Sequence, residues 1–340
     1  MSLLTHLLSV FVATNPPALA VSNEIQQSTG ISVTVPDATD PVQQELDKVM
    51  IEDDDAQAEV DKWIRDNADF HQQGAGVPNA EMNRRIMERF APVRKGYQDF
   101  LQRHPDSAHG YLAYGSFLND LGEEYAASEQ YEKARQLDPK NPAAWNNLAN
   151  YYGEFSPVTN AFVYYAKAIE LNPAEPVYYQ NFATTVYLFR KDAREFYGIN
   201  EQQVFDKALA LYLQAMKLAP DNFPLATDYA QSYYGIKPLR TNDALVAWTN
   251  TLAIARDEVE REGVYLHLAR IKMSIGWLDE SRALLTTVTN AALADLKNRL
   301  ERRLAEREHP PTNVVEVVTN TVALPTNSFS ISTNTPVPEK

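Results

Sequence analysis

Six histidines, one run of acidic residues and a set of paired tyrosines are the side chains here whose types could do chemistry. The histidines are His6, His71, His104, His109, His267 and His309, and only His104 and His109 stand close together. Two imidazoles are too few for a closed metal site, and their place at a repeat boundary reads as a solvated turn. Glu52-Asp-Asp-Asp55 offers carboxylates to calcium, but it lacks the Asp-x-Asp-x-Asp-Gly order and the glycine that bends a loop round the ion. It reads as a solvated helix face. The pairs Tyr151-Tyr152, Tyr164-Tyr165, Tyr178-Tyr179 and Tyr233-Tyr234 look like a sugar-stacking set, against which stands a plain packing role. There is no phosphate-cradling glycine loop, no Gly-x-Ser-x-Gly and no His-Glu-x-x-His. The chain has no cysteine, which excludes disulfides, thiolate zinc sites and cysteine nucleophiles. The expectation is a protein that is not an enzyme and carries no cofactor and no metal.

The elements that position these side chains follow a fixed period. Gln102-Arg-His-Pro105, Gln136-Leu-Asp-Pro139 and Glu170-Leu-Asn-Pro173 recur every 34 residues, and Lys217-Leu-Ala-Pro220 follows after 47, one period plus 13. A period of this size means stacked supersecondary units. In the unit starting at Ala108, Tyr111, Tyr114, Gly115 and Leu118 precede Ala127, Tyr131, Ala134 and Pro139. In the unit starting at Pro142, Trp145, Leu148, Ala149 and Tyr152 precede Ala161, Tyr165, Ala168 and Pro173. Apolar residues at three- and four-residue intervals make a helical stripe. The small residues let paired helices approach, and each proline ends a second helix. Such a pair cannot bury its apolar face alone, so its neighbours must cover it. The fold class is therefore all-α.

This pattern resembles the tetratricopeptide repeat: a small residue at the eighth position, alanine at the twentieth, proline at the thirty-second. The unit at Pro176 matches with Tyr179, Phe182, Ala183, Ala208, Tyr212, Ala215 and Pro220. A fourth unit is weaker (Tyr229, Ala230, Tyr233, Ala244, Trp248), and a fifth weaker still (Tyr265, Leu268, Ala269, Ser281, Leu285). The resemblance implies a helix-turn-helix solenoid whose first helices line a concave face, where peptides bind through the second, fifth, sixth, ninth and twelfth positions. Those positions hold Asn146, Asn147 and Asn150 in unit two, and Gln180, Asn181, Thr184 and Tyr187 in unit three. In unit four they hold Thr227, Asp228, Gln231 and Tyr234. An amide offers a donor and an acceptor, so a row of them can hold an extended segment by its backbone. In the family, tyrosine pairs place one ring inward and one at the groove edge. The carboxylate clamp of chaperone-binding relatives is not reproduced: Asn150 and Asn181 hold its asparagine positions, but Asn146, Pro224 and Asp228 replace its cations.

Residues 105–290 are thus expected to form a solenoid of four to five repeats, with an insertion near 190–202. That insertion carries Arg190, Lys191, Arg194, Phe196 and Tyr197 and reads either as a lengthening of two helices or as a basic lip beside the groove. Residues 40–104 read as an N-terminal helical cap with a degenerate repeat, with helices near 41–71 and 79–103. Residues 291–308 read as a capping helix. Its Leu293, Leu296, Leu300 and Leu304 leave a coiled-coil seam as the alternative. Residues 309–340 are rich in Thr, Asn and Pro and read as a disordered tail, in which Asn313-Val-Val-Glu-Val-Val-Thr319 could add a strand to a partner. Residues 1–20 resemble part of a secretory signal peptide, with Ala18-Leu-Ala20 as cleavage site but no Lys or Arg before the apolar stretch; 21–39 is a linker. This favours an extracytoplasmic (periplasmic or secreted) location, with the cytoplasm as the alternative.

A formal net charge of −14 argues against sequence-independent nucleic-acid binding and against an anionic membrane surface. No segment of the mature chain is long and apolar enough to span a bilayer. The expected function is a non-catalytic scaffold or adaptor for a protein or peptide partner. The alternatives are an envelope accessory protein, binding a glycan or a polysaccharide enzyme through Tyr187 and Tyr234, and a self-associating spacer.

Overall fold

The structure, a computed structural model, describes residues 40–72, 74–155 and 157–309. The candidate signal peptide, the linker and all of the tail after His309 lie outside the described residues. Among those described there are fourteen α-helices and two short 3-10 turns. They run α1 Pro41–Gln72, α2 Asn79–Arg103, α3 Ala108–Asp120, α4 Glu124–Leu137, α5 Pro142–Phe155, α6 Thr159–Leu171 and α7 Pro176–Leu188. Then come α8 Arg190–Tyr197, α9 Glu201–Leu218, α10 Phe223–Ser232, α11 Thr241–Ala253, α12 Glu258–Ser274, α13 Leu278–Thr287 and α14 Ala294–Glu308. None of the described helices is long and apolar enough to cross a membrane.

Five repeat pairs follow from the periodic residues: α3/α4, α5/α6, α7/α9, α10/α11 and α12/α13. Close approach within a pair depends on the small positions. A Cβ on Gly115 would stand 2.5 Å from the Tyr131 ring, so no larger residue fits there without a shift. Ala149, Ala161, Ala183, Ala208 and Ala269 are all fully buried at the matching places. In unit five the twentieth position is Ser281, whose hydroxyl donates to the Ala269 carbonyl at 3.0 Å and so satisfies itself inside the pair.

Two of the proline-ended joints are also tied across. The indole Nε1 of Trp145 donates to the Pro139 carbonyl at 2.9 Å, and the hydroxyl of Tyr179 donates to the Pro173 carbonyl at 3.1 Å. The fourth position of one unit thus holds a terminal carbonyl of the unit before, a group with no helical partner. Asn222 caps α10 by accepting from Leu225 N at 3.0 Å.

The N-terminal pair differs. Asp40 starts α1, its carboxylate accepting from Val42 N at 2.9 Å. Leu46, Ala56 and Val60 pack on Phe90, Val93, Tyr97 and Phe100 of α2. The acidic run is not wholly solvated: Asp53 is 7% exposed and accepts from the Tyr97 hydroxyl at 2.8 Å. The 104–109 segment is no solvated turn either. His104 pairs with Glu45 at 2.9 Å, and His109, largely buried, meets Gln43 at 3.0 Å, so both imidazoles pin the start of α1. Burial holds the His109 ring below its ordinary pKa.

The insertion lengthens α9, which runs 18 residues against 13 in α6, and its remainder does not stand as a free lip. It folds as α8, ended by Gly198 in the left-handed region (φ 65°), after which Asn200 and Gln203 form a capping box for α9. Phe196 and Tyr197 lie 5.5 and 5.6 Å from the Phe162 ring of α6, and Lys207 sits 4.3 Å over Tyr197. Arg190 is held by the Tyr187 carbonyl at 2.8 Å; Lys191 and Arg194 are exposed. At the far end Leu300 and Leu304 of α14 are buried against Leu266, Met273 and Leu285, so that face closes the solenoid and is not a free seam.

Candidate functional site

First helices α5, α7, α10 and α12 bring their sixth and ninth positions onto one line, because each pairs with its second helix through the small eighth residue. That line is polar. Asn146 donates to the Asn147 carboxamide oxygen at 3.1 Å, and Asn181 donates from α7 to Asn146 at 3.2 Å. Gln180 of α7 donates to Asp228 of α10 at 2.9 Å. Asn150 accepts from the Tyr165 hydroxyl at 2.7 Å, and Thr184 shares a 2.7 Å hydrogen bond with Tyr212.

The expected groove residues therefore split into two groups. Asn146 and Asn147, expected on the open groove, are 1% and 7% exposed. Asn146 bridges α5 to α7, and Asn147 accepts from it within α5. Asn150, Gln180, Asn181, Thr184, Tyr187 and Asp228 are half-buried, and Gln231 is exposed. The half-buried amides use only part of their capacity internally. Asn150 keeps its NH2, Asn181 its oxygen and one N–H, and Gln180 its oxygen, with no partner among the described residues. Burial pushes the Asp228 carboxyl above its usual range, and the Gln180 hydrogen bond opposes this. The Tyr187 ring stacks under Arg190 (5.3 Å), and its hydroxyl lies where a Cβ on Gly235 would clash at 2.0 Å.

Two ends of the line were missed in the sequence. On the α1 side, Asp53, Asp54 and Asp120 converge, with Gln57 donating to Asp120 at 3.3 Å. Asp54 and Asp120 are open to water yet set among many protein atoms, and this poor solvation lifts both carboxyls to about 6. Asp120 is at the thirteenth position, outside the peptide-binding set. On the α12 side stand His267 and Arg270, the sixth and ninth residues of unit five. That signal was readable once Leu268 and Ala269 were set at the seventh and eighth. His267 stacks on Trp248 (4.0 Å, 5°) and meets the Tyr234 hydroxyl at 3.0 Å through Nδ1. Burial and then Arg270 push its pKa down to about 4. Among the described residues no group of three or more His, Asp or Glu could hold a metal. The line can offer hydrogen-bond donors and acceptors.

Residues 108–151 match the family model for the tetratricopeptide repeat. Among solved structures the chain is similar to PilF of Pseudomonas aeruginosa (17% identity, 75% of this chain and 99% of that one, TM-score 0.48). It is similar to TTC0263, a thermophilic tetratricopeptide-repeat protein of Thermus thermophilus (22%, 58% and 100%, 0.41). It is also similar to YrrB, described as a tetratricopeptide-repeat protein with an unusual peptide-binding site (13%, 62% and 96%, 0.44). At these values the likenesses carry no argument about activity. Residues 108–151 thus match a tetratricopeptide repeat, the 34-residue period and the small residues packed at the eighth and twentieth positions carry the same pattern into the neighbouring pairs, and such repeats imply protein–protein interaction.

Proposed function

We propose that this chain is a non-catalytic scaffold that holds an extended segment of a partner protein along its concave line. The observation that carries the reading is the partly used amide row. Asn150, Gln180 and Asn181 each give one hydrogen-bonding group to the fold and keep another, and Gln231 keeps both. Donors and acceptors in one line match a peptide backbone, which presents both at every residue. Backbone pairing asks little of the partner's sequence, and the two tyrosines at the twelfth positions, Tyr187 and Tyr234, add ring surface beside it.

The test is selection from a random twelve-residue peptide library against the full chain, followed by affinity measurement on Asn150→Ala/Asn181→Ala/Gln231→Ala. Selected peptides should bind the triple variant about tenfold or more weakly, since each lost hydrogen bond is worth about 1 kcal/mol. Equal affinity for both proteins would move the site off the concave line. Selection of no peptide at all would remove the reading.

A further inference from the structure

We propose that Arg270 and His267 form a carboxylate-recognition spot at the α12 end of the concave line, and that it fixes the direction in which a bound segment lies. The directional part rests on the groove reading above; the spot itself does not.

The argument begins with Arg270. It lies on the same line as Asn181, Thr184, Asp228 and Gln231, at the ninth position of unit five. Its guanidinium sits 4.1 Å over the Tyr234 ring. Stacking uses the flat face of the group and leaves its N–H edges free. Of the eighteen arginines among the described residues eleven lie within ion-pair distance of a carboxylate, and Arg270 is one of the seven that do not. Its side chain is exposed. An oriented cation without an anion, on the inner line of the repeats, is a site in waiting.

His267 supplies the second donor. It stands three residues before Arg270, one turn along the same helix face. Trp248, fully buried, lies parallel beneath the imidazole at 4.0 Å and fixes the ring plane. The ring is neutral at pH 7, because burial and the nearby guanidinium both oppose its charging. The Tyr234 hydroxyl lies 3.0 Å from Nδ1 and 3.5 Å from the His267 carbonyl; when it donates to the nearer acceptor, the neutral ring carries its own hydrogen on Nε2. That N–H has no partner among the described residues. One cationic and one neutral donor match a single negative charge with two oxygens. A phosphate dianion would bring about twice the charge to a spot holding one.

The other end of the line repels the same group. Asp54 and Asp120 already lie in surroundings that disfavour negative charge, with Asp53 beside them. Asp228 is nearer, but it is tied to Gln180. A segment carrying one carboxylate therefore places it at α12 and runs its remainder toward α1. The carboxylate is either a side chain or a chain terminus, and the two differ in the probe that finds them.

The experiment titrates the full 15N-labelled chain with N-acetylglutamate α-amide, with N-acetylalanine and with uncharged N-acetylglutamine α-amide. The side-chain N–H signals of Arg270 and His267 are followed. Saturable shifts with the acids and none with the amide are expected, with the affinity about tenfold weaker in Arg270→Gln. The tighter of the two acids identifies a side-chain or a terminal carboxylate. No saturable shift, or equal affinity in Arg270→Gln with unchanged circular dichroism, overturns the spot whether or not the library selection yields peptides. Direction is read from a selected acidic peptide carrying a nitroxide at the end remote from its acid. Broadening of α1 signals supports it; broadening of α12 signals overturns it. A selection that fails while the acid titration succeeds removes the groove reading and the direction together, and leaves the spot.

Discussion

The Tyr97 hydroxyl donates to a carboxylate that almost no solvent reaches, and that one bond holds α1 to α2 at Asp53. Tyr97→Phe strips Oδ2 of Asp53 of this donor, while Gln57 stays on Oδ1, so about 1–3 kcal/mol of stability is lost, measurable by urea unfolding. Two helical glycines should respond in opposite directions. Gly115→Ala drives a methyl to 2.5 Å from the Tyr131 ring and costs about 1–3 kcal/mol. Gly153→Ala meets Thr185 at 3.7 Å, an ordinary contact, and gains roughly 0.5–1 kcal/mol by removing a flexible residue from α5. Thermal midpoints of the two variants should therefore move apart. The tight glycine was legible in the sequence because Gly115 falls at the repeat's eighth position. The burial of Asn146 and Asn147 was not: position on a first helix says which face a side chain is on, and not whether the next helix leans over it. His267 and Arg270 sat in a weak unit, and their role needed the ring contacts of Tyr234 and Trp248, which come from the 3-10 turn after α10 and from α11.

Among the helices, the joint before α14 has the most specific lock. Glu262 of α12, almost wholly covered, accepts from Thr289 N and Oγ1 at 2.9 Å each and from Asn290 N at 2.7 Å. These hydrogen bonds, the Asn290 backbone first, hold its carboxyl below the ordinary value of 4.5. A lowered carboxyl stabilises the fold above its ordinary pKa and loses that contribution as pH falls through the folded value. Glu262→Gln is therefore expected to speed hydrogen exchange in α14 at pH 7 while leaving α3 to α7 unchanged. In the unaltered chain the same loosening should appear as pH falls from 4.5 through the lowered folded value. The capping role of the Leu300 and Leu304 face could be read from the leucine spacing. The Glu262 lock could not, since it joins residues 27 and 28 positions apart through a loop. The insertion was visible as an insertion, and Gly198 and Asn200 are stop and start signals. Its docking on Phe162 was hidden because nothing local says which helix a short amphipathic segment will meet.

For the molecule as a whole, acid strain and one buried imidazole act against each other. Asp54 and Asp120, raised to about 6, destabilise the fold when charged. That burden is full above pH 6 and fades as pH falls toward their ordinary 3.8. His267, lowered to about 4 from 6.5, does the reverse: its contribution is present above 6.5 and is lost as pH falls toward 4. Asp120→Asn should raise the thermal midpoint at pH 8 and have little effect at pH 4. Profiles of midpoint against pH, recorded for this variant beside His267→Gln, separate the two influences. The ring-to-carbonyl bonds of Trp145 and Tyr179 bear on something else, the response to load. Pulled from its two ends, the solenoid is a series of links, and those bonds stiffen the two joints they cross. The next joint, after Pro220, has Ala226 where the ring would stand, and no side chain of the described residues donates to the Pro220 carbonyl. Under rising tension it is expected to part before the two ring-tied joints, dividing the third repeat from the fourth, a step that single-molecule pulling would resolve.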